Sequence, residues 1–183
     1  EAYKNEMLKL SGVQNGSYSS FLPVTSSSRS DQTFSTEAVM NSDNTLNMQR
    51  WRIDYDYINT MGMEITAGRN FSRDIGADSM NVIINESAAD ILGYEDPIGQ
   101  KLYGLENSER PVSFTIIGVV KDFHFESLRN NIDGLSLSIG HSNGMLAVKV
   151  NSGDLPNTVS RIEKIWKEIV PGQPFNYSFM EAS

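Results

Sequence analysis

Three short stretches of this chain carry side chains whose types and spacing could do chemistry. They are Ser142 within the Gly-His-Ser-Asn-Gly run at 140–144, the group Asp122, His124 and Glu126, and Arg69 with Asp74 and Asp78. A serine nucleophile would serve acyl transfer, a histidine between carboxylates would bind zinc or act as a general base, and an arginine would hold an anion. Each stretch also has an ordinary structural explanation. The secondary structure around it must therefore decide between a chemical and a structural role.

The Gly-x-Ser-x-Gly run lies in the wrong context for a hydrolase nucleophile. That chemistry needs a strand, a sharp turn and a helix, which expose the serine hydroxyl above a sheet. Here residues 135–139 and 145–150 both alternate as strands. Asn143-Gly144 therefore predicts a β-hairpin turn, and Ser142 is expected to be a loop residue.

The alternating group at Asp122, His124 and Glu126 would share one face of a strand, with side chains about 7 Å apart. Phe123 and Phe125 would occupy the opposite face. An amphipathic strand end, with aromatic rings inward and charges in water, produces the same spacing without any function. We favour that structural interpretation over a metal or general-base site.

The charges around Arg69 favour an ion pair over an anion clamp. Three opposite charges in one short turn mostly satisfy each other, so Arg69 is expected to pair with Asp74 or Asp78 and hold its loop in place. The sequence contains no Gly-x-x-x-x-Gly-Lys-Ser/Thr loop for nucleotide phosphates and no cysteine for a thiolate site.

Composition narrows the class of protein further. The 183 residues suffice for one large domain or two small ones without a disulfide. A net charge of -8 and a pI near 4.7, with scattered Lys and Arg, argue against nucleic acid as a partner. No stretch approaches the roughly 20 apolar residues of a membrane-spanning helix. The chain opens at Glu1 without a leader pattern, so we expect a piece of a longer protein.

Hydrophobic periodicity predicts the elements that position these residues. In the first third of the chain we expect an opening helix on Tyr3, Met7 and Leu10, short strands near Phe21 and Val39, and a strand with Trp51 and Ile53 inward. In the middle we expect a helix at 55–61, a strand at 82–84 before a helix capped by Asn85, and a buried strand at 115–120. Near the end we expect a helix that starts at Asp154 and stops before Pro171, and a final strand with Phe175, Tyr177 and Phe179. Gly118 should let another backbone approach the buried strand closely.

Four signatures occur in one order along the chain. They are Gly68-Arg69-Asn70-Phe71, Val82-Ile83-Ile84-Asn85-Glu86, Asp96-Pro97-Ile98-Gly99 and Ile116-Ile117-Gly118-Val119-Val120-Lys121-Asp122-Phe123. Their order and spacing resemble the extracytoplasmic core domain of MacB-like, FtsX-type ABC transporter permeases. The resemblance spans roughly residues 55–181. It departs from the family at Gly134, where the family usually has a proline, so the local turn is expected to differ.

The resemblance implies an α+β fold in two parts. A porter-like split βαβ unit would comprise residues 1–65 and 115–183, and a smaller, mostly-β, sabre-like lobe would be inserted at 66–114. The pattern after residue 145, which predicts strand, helix and strand, suits such a unit.

The resemblance also implies the function. The chain would be a non-catalytic extracytoplasmic domain between two transmembrane spans, on the periplasmic side of the bacterial cytoplasmic membrane, and would couple ATP-driven helix motion to export or handover of a substrate. Its partners would be the cognate cytoplasmic ATPase, a second permease copy, and an adaptor or envelope protein. No cofactor, metal or catalytic residue is implied.

Two alternatives belong to other classes of protein. The first is a secreted metal-dependent hydrolase that uses Asp122, His124 and Glu126. The second is a freestanding envelope binding module for peptide or glycan, with Trp51 or Tyr103 as an exposed aromatic platform.

Overall fold

Six strands close into a mixed barrel in the computed structural model, which describes residues 2–22, 30–105, 111–123, 133–140 and 145–180. The barrel strands are β2 (Asp31–Ser35), β3 (Thr45–Ile53), β5 (Asn81–Asn85), β6 (Lys101–Leu105), β7 (Pro111–Val120) and β8 (Leu135–Ile139). Their order is β2-β6-β7-β5-β8-β3, and pairing of β2 with β3 closes the ring. The β3–β8 and β5–β7 pairs are parallel and the other four antiparallel. The mixed α+β class is thereby confirmed.

The remaining described elements attach to this barrel. They are α1 (Ala2–Met7), β1 (Val13–Ser19), α2 (Tyr57–Met61), β4 (Ile65–Gly68), α3 (Glu86–Leu92), β9 (Met145–Val150) and α4 (Leu155–Ile169), with 3-10 turns at Gly76–Met80 and Ser152–Asp154. β4 pairs with β7, whereas β1 extends the sheet from β3 and β9 pairs with β1. None of the described helices is long and apolar enough to cross a membrane.

The barrel interior is filled by large apolar side chains from five of its strands. Phe34, Met48 and Phe114 are at most 1% exposed, and Val82, Ile84, Leu102 and Ile116 lie in the same cluster with two residues of α3. Because close packing leaves few voids, even small residues matter here. A Cβ on Gly104 would lie 2.9 Å from the Phe34 ring.

The outer face of the same strands carries a second apolar cluster under α2. Trp51 and Ile53 are fully buried there, as the sequence predicted, and the Trp51 ring stacks on Phe21 at a centroid distance of 4.4 Å. The opposite face of β3 is buried as well, because Met48 and Arg50 point into the barrel. Strand alternation in β3 therefore separates two cores, rather than a core from solvent.

The α1, β1, β9 and α4 elements form a layer that we call the terminal layer. Its own apolar cluster is built on Met7, Leu10 and Ile162. The Tyr3 ring meets the Trp166 ring edge-on at 5.2 Å, and Phe175 packs into the same cluster. The two ends of the described chain thus lie side by side.

Local signals placed several elements correctly. Asn85 caps α3, since its side chain accepts a hydrogen bond from the Ala88 N–H. Gly62 ends α2 with a φ of 70°, in the left-handed region that favours glycine. Gly118 lies at a register shift between β5 and β7, and a Cβ there would come within 2.4 Å of the Arg69 carbonyl oxygen. The predicted close backbone approach is confirmed.

The predicted hairpin between β8 and β9 is wrong. β3 and β1 lie between these strands, and β8 and β9 run in the same direction. Pairing is decided by contacts across the whole sheet, whereas the Asn-Gly signal is local. Residues 141–144, with Ser142, lie outside the described residues.

Two further expectations were also wrong. Residues 174–180 form no strand, although Tyr177 and Phe179 stack in an extended row of rings. Val39 lies in the β2–β3 connection, 77% exposed, and Phe21 follows β1 rather than forming a strand. Asp154 does occupy the predicted N-cap position of α4, but its carboxylate makes no capping bond and accepts from the Asn157 side chain instead.

Candidate functional site

The most connected group of charges in the described residues is one that we call the Lys4 cluster: Lys4, Asp54, Asp56 and Arg73. The Lys4 Nζ lies 2.6 Å from Asp54 Oδ2 and 2.7 Å from Asp56 Oδ2. Arg73 approaches the Asp56 carboxylate with both terminal nitrogens, at 2.8 and 3.2 Å. Two cations therefore meet two carboxylates in one place.

Several segments of the chain meet at this cluster. Lys4 comes from α1, the aspartates from the connection between β3 and α2, and Arg73 from the loop after β4. The Asp54 carboxylate also accepts hydrogen bonds from the Ser17 hydroxyl and the Tyr18 N–H of β1. The side chain of Lys4 is only 3% exposed, so its charge depends on these partners.

The contacts within the cluster shift the pKa values of Asp56 and Lys4 in the directions that favour their charged forms. Hydrogen bonds from Arg73, opposed by burial and helped by Lys4, lower the pKa of Asp56 to about 2. Burial alone would lower the pKa of Lys4, but the hydrogen bonds to Asp54 and Asp56 outweigh it and raise that pKa. Lys4 and Arg73 each pair with a carboxylate of the cluster, so the network joins the segments that carry these residues.

The Arg69–Asp78 pair confirms the predicted ion pair that holds the loop in place. Two parallel bonds join the guanidinium to the carboxylate at 2.8 and 3.0 Å, and Asp78 is fully buried. Asp78 also accepts from the Ser72 N–H and the Asn81 amide. The Arg69 hydrogen bonds outweigh burial and lower the pKa of Asp78 to about 2. Asp74 is exposed, and its described hydrogen bond is from its own N–H to the Ser72 hydroxyl.

Asp122 stands at the start of α3. One carboxylate oxygen accepts from the Ser87 N–H at 3.0 Å and the Asn85 amide at 2.8 Å, and the other accepts from the Ser87 hydroxyl. A carboxylate here suits the positive end of the helix dipole. Asp122 therefore stabilises the start of α3. His124 and Glu126 lie outside the described residues, so their grouping with Asp122 stays a prediction.

Other candidate ligands are sparse in the described part of the chain. No three His, Asp or Glu side chains within it converge on a point where a metal could sit. Trp51 is fully buried, so its proposed role as an exposed platform is wrong, and Tyr103 is half-buried. A cavity of about 230 Å³ is lined by Ser20, Ser30, Gln32, Arg50 and Arg52. Within it Arg50 contacts the Ser138 hydroxyl, the Gln32 amide oxygen and the Phe114 ring.

Sequence reasoning missed the Lys4 cluster. Lys4 lies three residues before Met7, which places both on one face of α1, and a lysine on an apolar face is a weak signal of a buried ion pair. Its partners are 50 and 52 residues away in sequence. No local pattern connects residues at that distance.

The fold and these charges define a barrel-based α+β domain in which the best-formed charged groups link segments of the chain. Known structures share this fold. The periplasmic region of MacB from Actinobacillus actinomycetemcomitans aligns with a TM-score of 0.64 at 19% identity, over 92% of this chain and 72% of that one. The extracellular domain of YknZ, a noncanonic ABC-type transporter from Gram-positive bacteria, aligns with a TM-score of 0.64 at 15% identity, over 92% and 82% of the two chains.

The family is shown by sequence. The profile of the MacB-like periplasmic core domain matches residues 11–165, and no curated protein matches the chain. The chain belongs to the MacB-like periplasmic core domain family. It is a periplasmic or extracellular domain of the kind that MacB-like ABC transporter permeases carry, so the resemblance seen in the four signatures is confirmed.

Proposed function

We propose that this chain is a non-catalytic domain that lies between two transmembrane spans of a permease, outside the bacterial cytoplasmic membrane, and passes ATP-driven movement of the membrane helices to a substrate. The observation that carries the proposal is the family match over residues 11–165. On this proposal a cognate cytoplasmic ATPase supplies the energy, a second permease copy completes the transporter, and an adaptor or envelope protein receives the substrate.

The terminal layer supports a double attachment to the membrane. Tyr3 and Trp166 are in ring contact at 5.2 Å, and Phe175 joins the same cluster. A domain with one span before it and another after it needs its two ends on one side. The side-by-side ends of the described chain meet that requirement.

The finer architecture is proposed with it. The porter-like unit would be residues 1–65 and 115–183, and the sabre-like lobe residues 66–114. The compact terminal layer, with helix α4 packed over strands β1 and β9, supplies the α+β part of such a unit. Since β5 and β6 pair with β2, β7 and β8, the lobe would be an insertion in the sequence that completes the barrel and would not fold on its own. Limited proteolysis that cuts first near residues 66 and 114 would support this division, and first cuts confined to other connections would contradict it.

The first test is the reading frame around this chain. We expect an apolar segment of roughly 20 residues shortly before Glu1 and three after Ser183. A cleavable leader before Glu1 with a stop codon soon after Ser183 would contradict the proposal.

A labelling experiment tests the location directly. These 183 residues contain no cysteine, so the exposed Asn59 can be changed to the single cysteine of the domain, in a full permease whose cysteines outside this chain are replaced by serine. A membrane-impermeant maleimide should label this variant in intact cells. The matched control is Ser138→Cys, which is buried and should be labelled only after unfolding. Labelling of Asn59→Cys only after lysis would place the domain in the cytoplasm and overturn the proposal.

A further inference from the structure

The junction between the terminal layer and the barrel is narrow. β1 and β3 share a single register pair, Ser19 with Ile53, whereas β1 and β9 pair along their whole lengths. Two backbone hydrogen bonds flank that pair, from Ser20 N–H to Arg52 O and from Asp54 N–H to Tyr18 O. Few ladder bonds therefore resist rotation of the layer against the barrel.

Apolar packing across the junction runs through α2, which lies against both β1 and β9. The terminal layer has its own core, and its inner face contributes the half-buried Met145 and Ala147 to the outer cluster of the barrel. Two units with separate cores and a short shared ladder have the geometry of a hinge.

The Lys4 cluster spans this junction beside the single register pair. Lys4 belongs to the layer, and its two carboxylate partners follow directly after β3 of the barrel. Asp54 binds Ser17 and Tyr18 of the layer at the same time. Since Lys4 is 3% exposed, moving it by a few ångströms would leave buried charges unpaired, unless water enters and hydrates them. Partial separation is costly, so the contact favours two discrete arrangements, closed or hydrated.

We propose that the β1–β3 junction is a hinge and that the Lys4 cluster holds it closed. The role of the hinge rests on the proposed function. Movement that enters the domain through α1 would reach the barrel only while the Lys4 cluster is closed. The existence of the hinge does not depend on that role and can be tested on this chain without the rest of a transporter.

The test measures the distance between the two units. Because the chain has no cysteine, spin labels can be placed at Lys164→Cys on α4 and Asp90→Cys on α3, both exposed positions. Double electron–electron resonance should give one narrow distance with the native Lys4. Lys4→Met, which keeps length but loses charge, should add a second, separate distance. The matched control Lys9→Met removes an exposed pair with Glu6 from the same helix region and should change nothing.

Hydrogen exchange supplies a second readout. In Lys4→Met we expect the Ser20 and Asp54 amides at the junction to exchange at least tenfold faster, while the β5 amides inside the barrel stay within about twofold. If Lys4→Met does not fold, Asp56→Asn replaces it, because it weakens one partner and leaves the Lys4–Asp54 contact in place.

Two results would overturn the hinge. One is a single unchanged distance in a folded Lys4→Met protein. The other is an equal rise of exchange in barrel and junction, which would make Lys4 a general stabiliser. Neither bears on the membrane location of the domain, since that is measured separately by maleimide labelling in cells.

Discussion

At the scale of single residues, the buried carboxylate Asp78 is tied to an arginine and to neighbouring donors, and the charged group is thereby used for structure. Arg69, Ser72 and Asn81 all donate to it. A buried carboxylate with several donors stabilises the fold through the cost of leaving those donors unpaired.

Asp78→Asn is therefore expected to lower the free energy of unfolding by about 2–3 kcal/mol, toward the low end for a broken buried pair because Arg69 is 40% exposed. Urea denaturation checks this. The matched control is Asp74→Asn in the same loop, which should stay within about 0.5 kcal/mol of the parent. Equal effects of the two variants would contradict the assignment of the pair.

Gly118→Ala is expected to destabilise the domain by about 2–3 kcal/mol, because the new Cβ would lie 2.4 Å from a backbone oxygen that cannot move aside cheaply. The control is Gly153→Ala, where no atom lies within 4 Å of the added Cβ. Thermal unfolding of both variants measures the difference. A neutral Gly118→Ala would mean that β4 can shift away from β7.

At the scale of elements, one side chain fixes how three segments meet. The Asn85 oxygen accepts from the Ala88 and Leu135 N–H groups, and its nitrogen donates to Asp122 and the Asp133 carbonyl. The residue thus joins the start of α3, the start of β8 and the end of β7. Asn85 therefore contributes more to the free energy of unfolding than a helix cap alone, which typically contributes about 1 kcal/mol.

Asn85→Ala is accordingly expected to cost about 3 kcal/mol, because the cap is lost and the buried Leu135 N–H is left without a partner. Guanidinium denaturation measures the loss. Asn59→Ala, an exposed change on α2, is the control, and its free energy of unfolding should stay within about 0.5 kcal/mol of that of the parent protein. A loss near 1 kcal/mol for Asn85→Ala would show that the cap alone matters.

At the scale of the whole molecule, acid should weaken the domain. The pKa values of Asp56 and Asp78 are lowered from an ordinary 3.8 to about 2. A group with a depressed folded-state pKa contributes stability that is present above its unfolded pKa and disappears as pH falls through the folded one.

We therefore expect the free energy of unfolding to fall between pH of about 4 and about 2. Urea titrations at a series of pH values measure that slope. In Asp78→Asn the slope should be smaller, because one of the two carboxylates no longer titrates. An identical slope in that variant would rule Asp78 out as a source of the acid sensitivity.

The sequence by itself determined the features that depend on near neighbours. The cap at Asn85, the end of α2 at Gly62, the pair between Arg69 and Asp78 and the inward side of Trp51 all rest on short spacings, and local sequence controls them. The order of four short signatures also identified the family, which the match over residues 11–165 confirms.

Only the tertiary structure decided what residues distant in sequence do together. The separation of β8 from β9, the closed barrel that buries both faces of β3, and the Lys4 cluster depend on pairings between segments tens of residues apart. Such pairings are selected by the packing of all strands at once, because each strand can pair locally in several ways. A lysine at position 4 becomes structural only when the fold brings Asp54 and Asp56 to it.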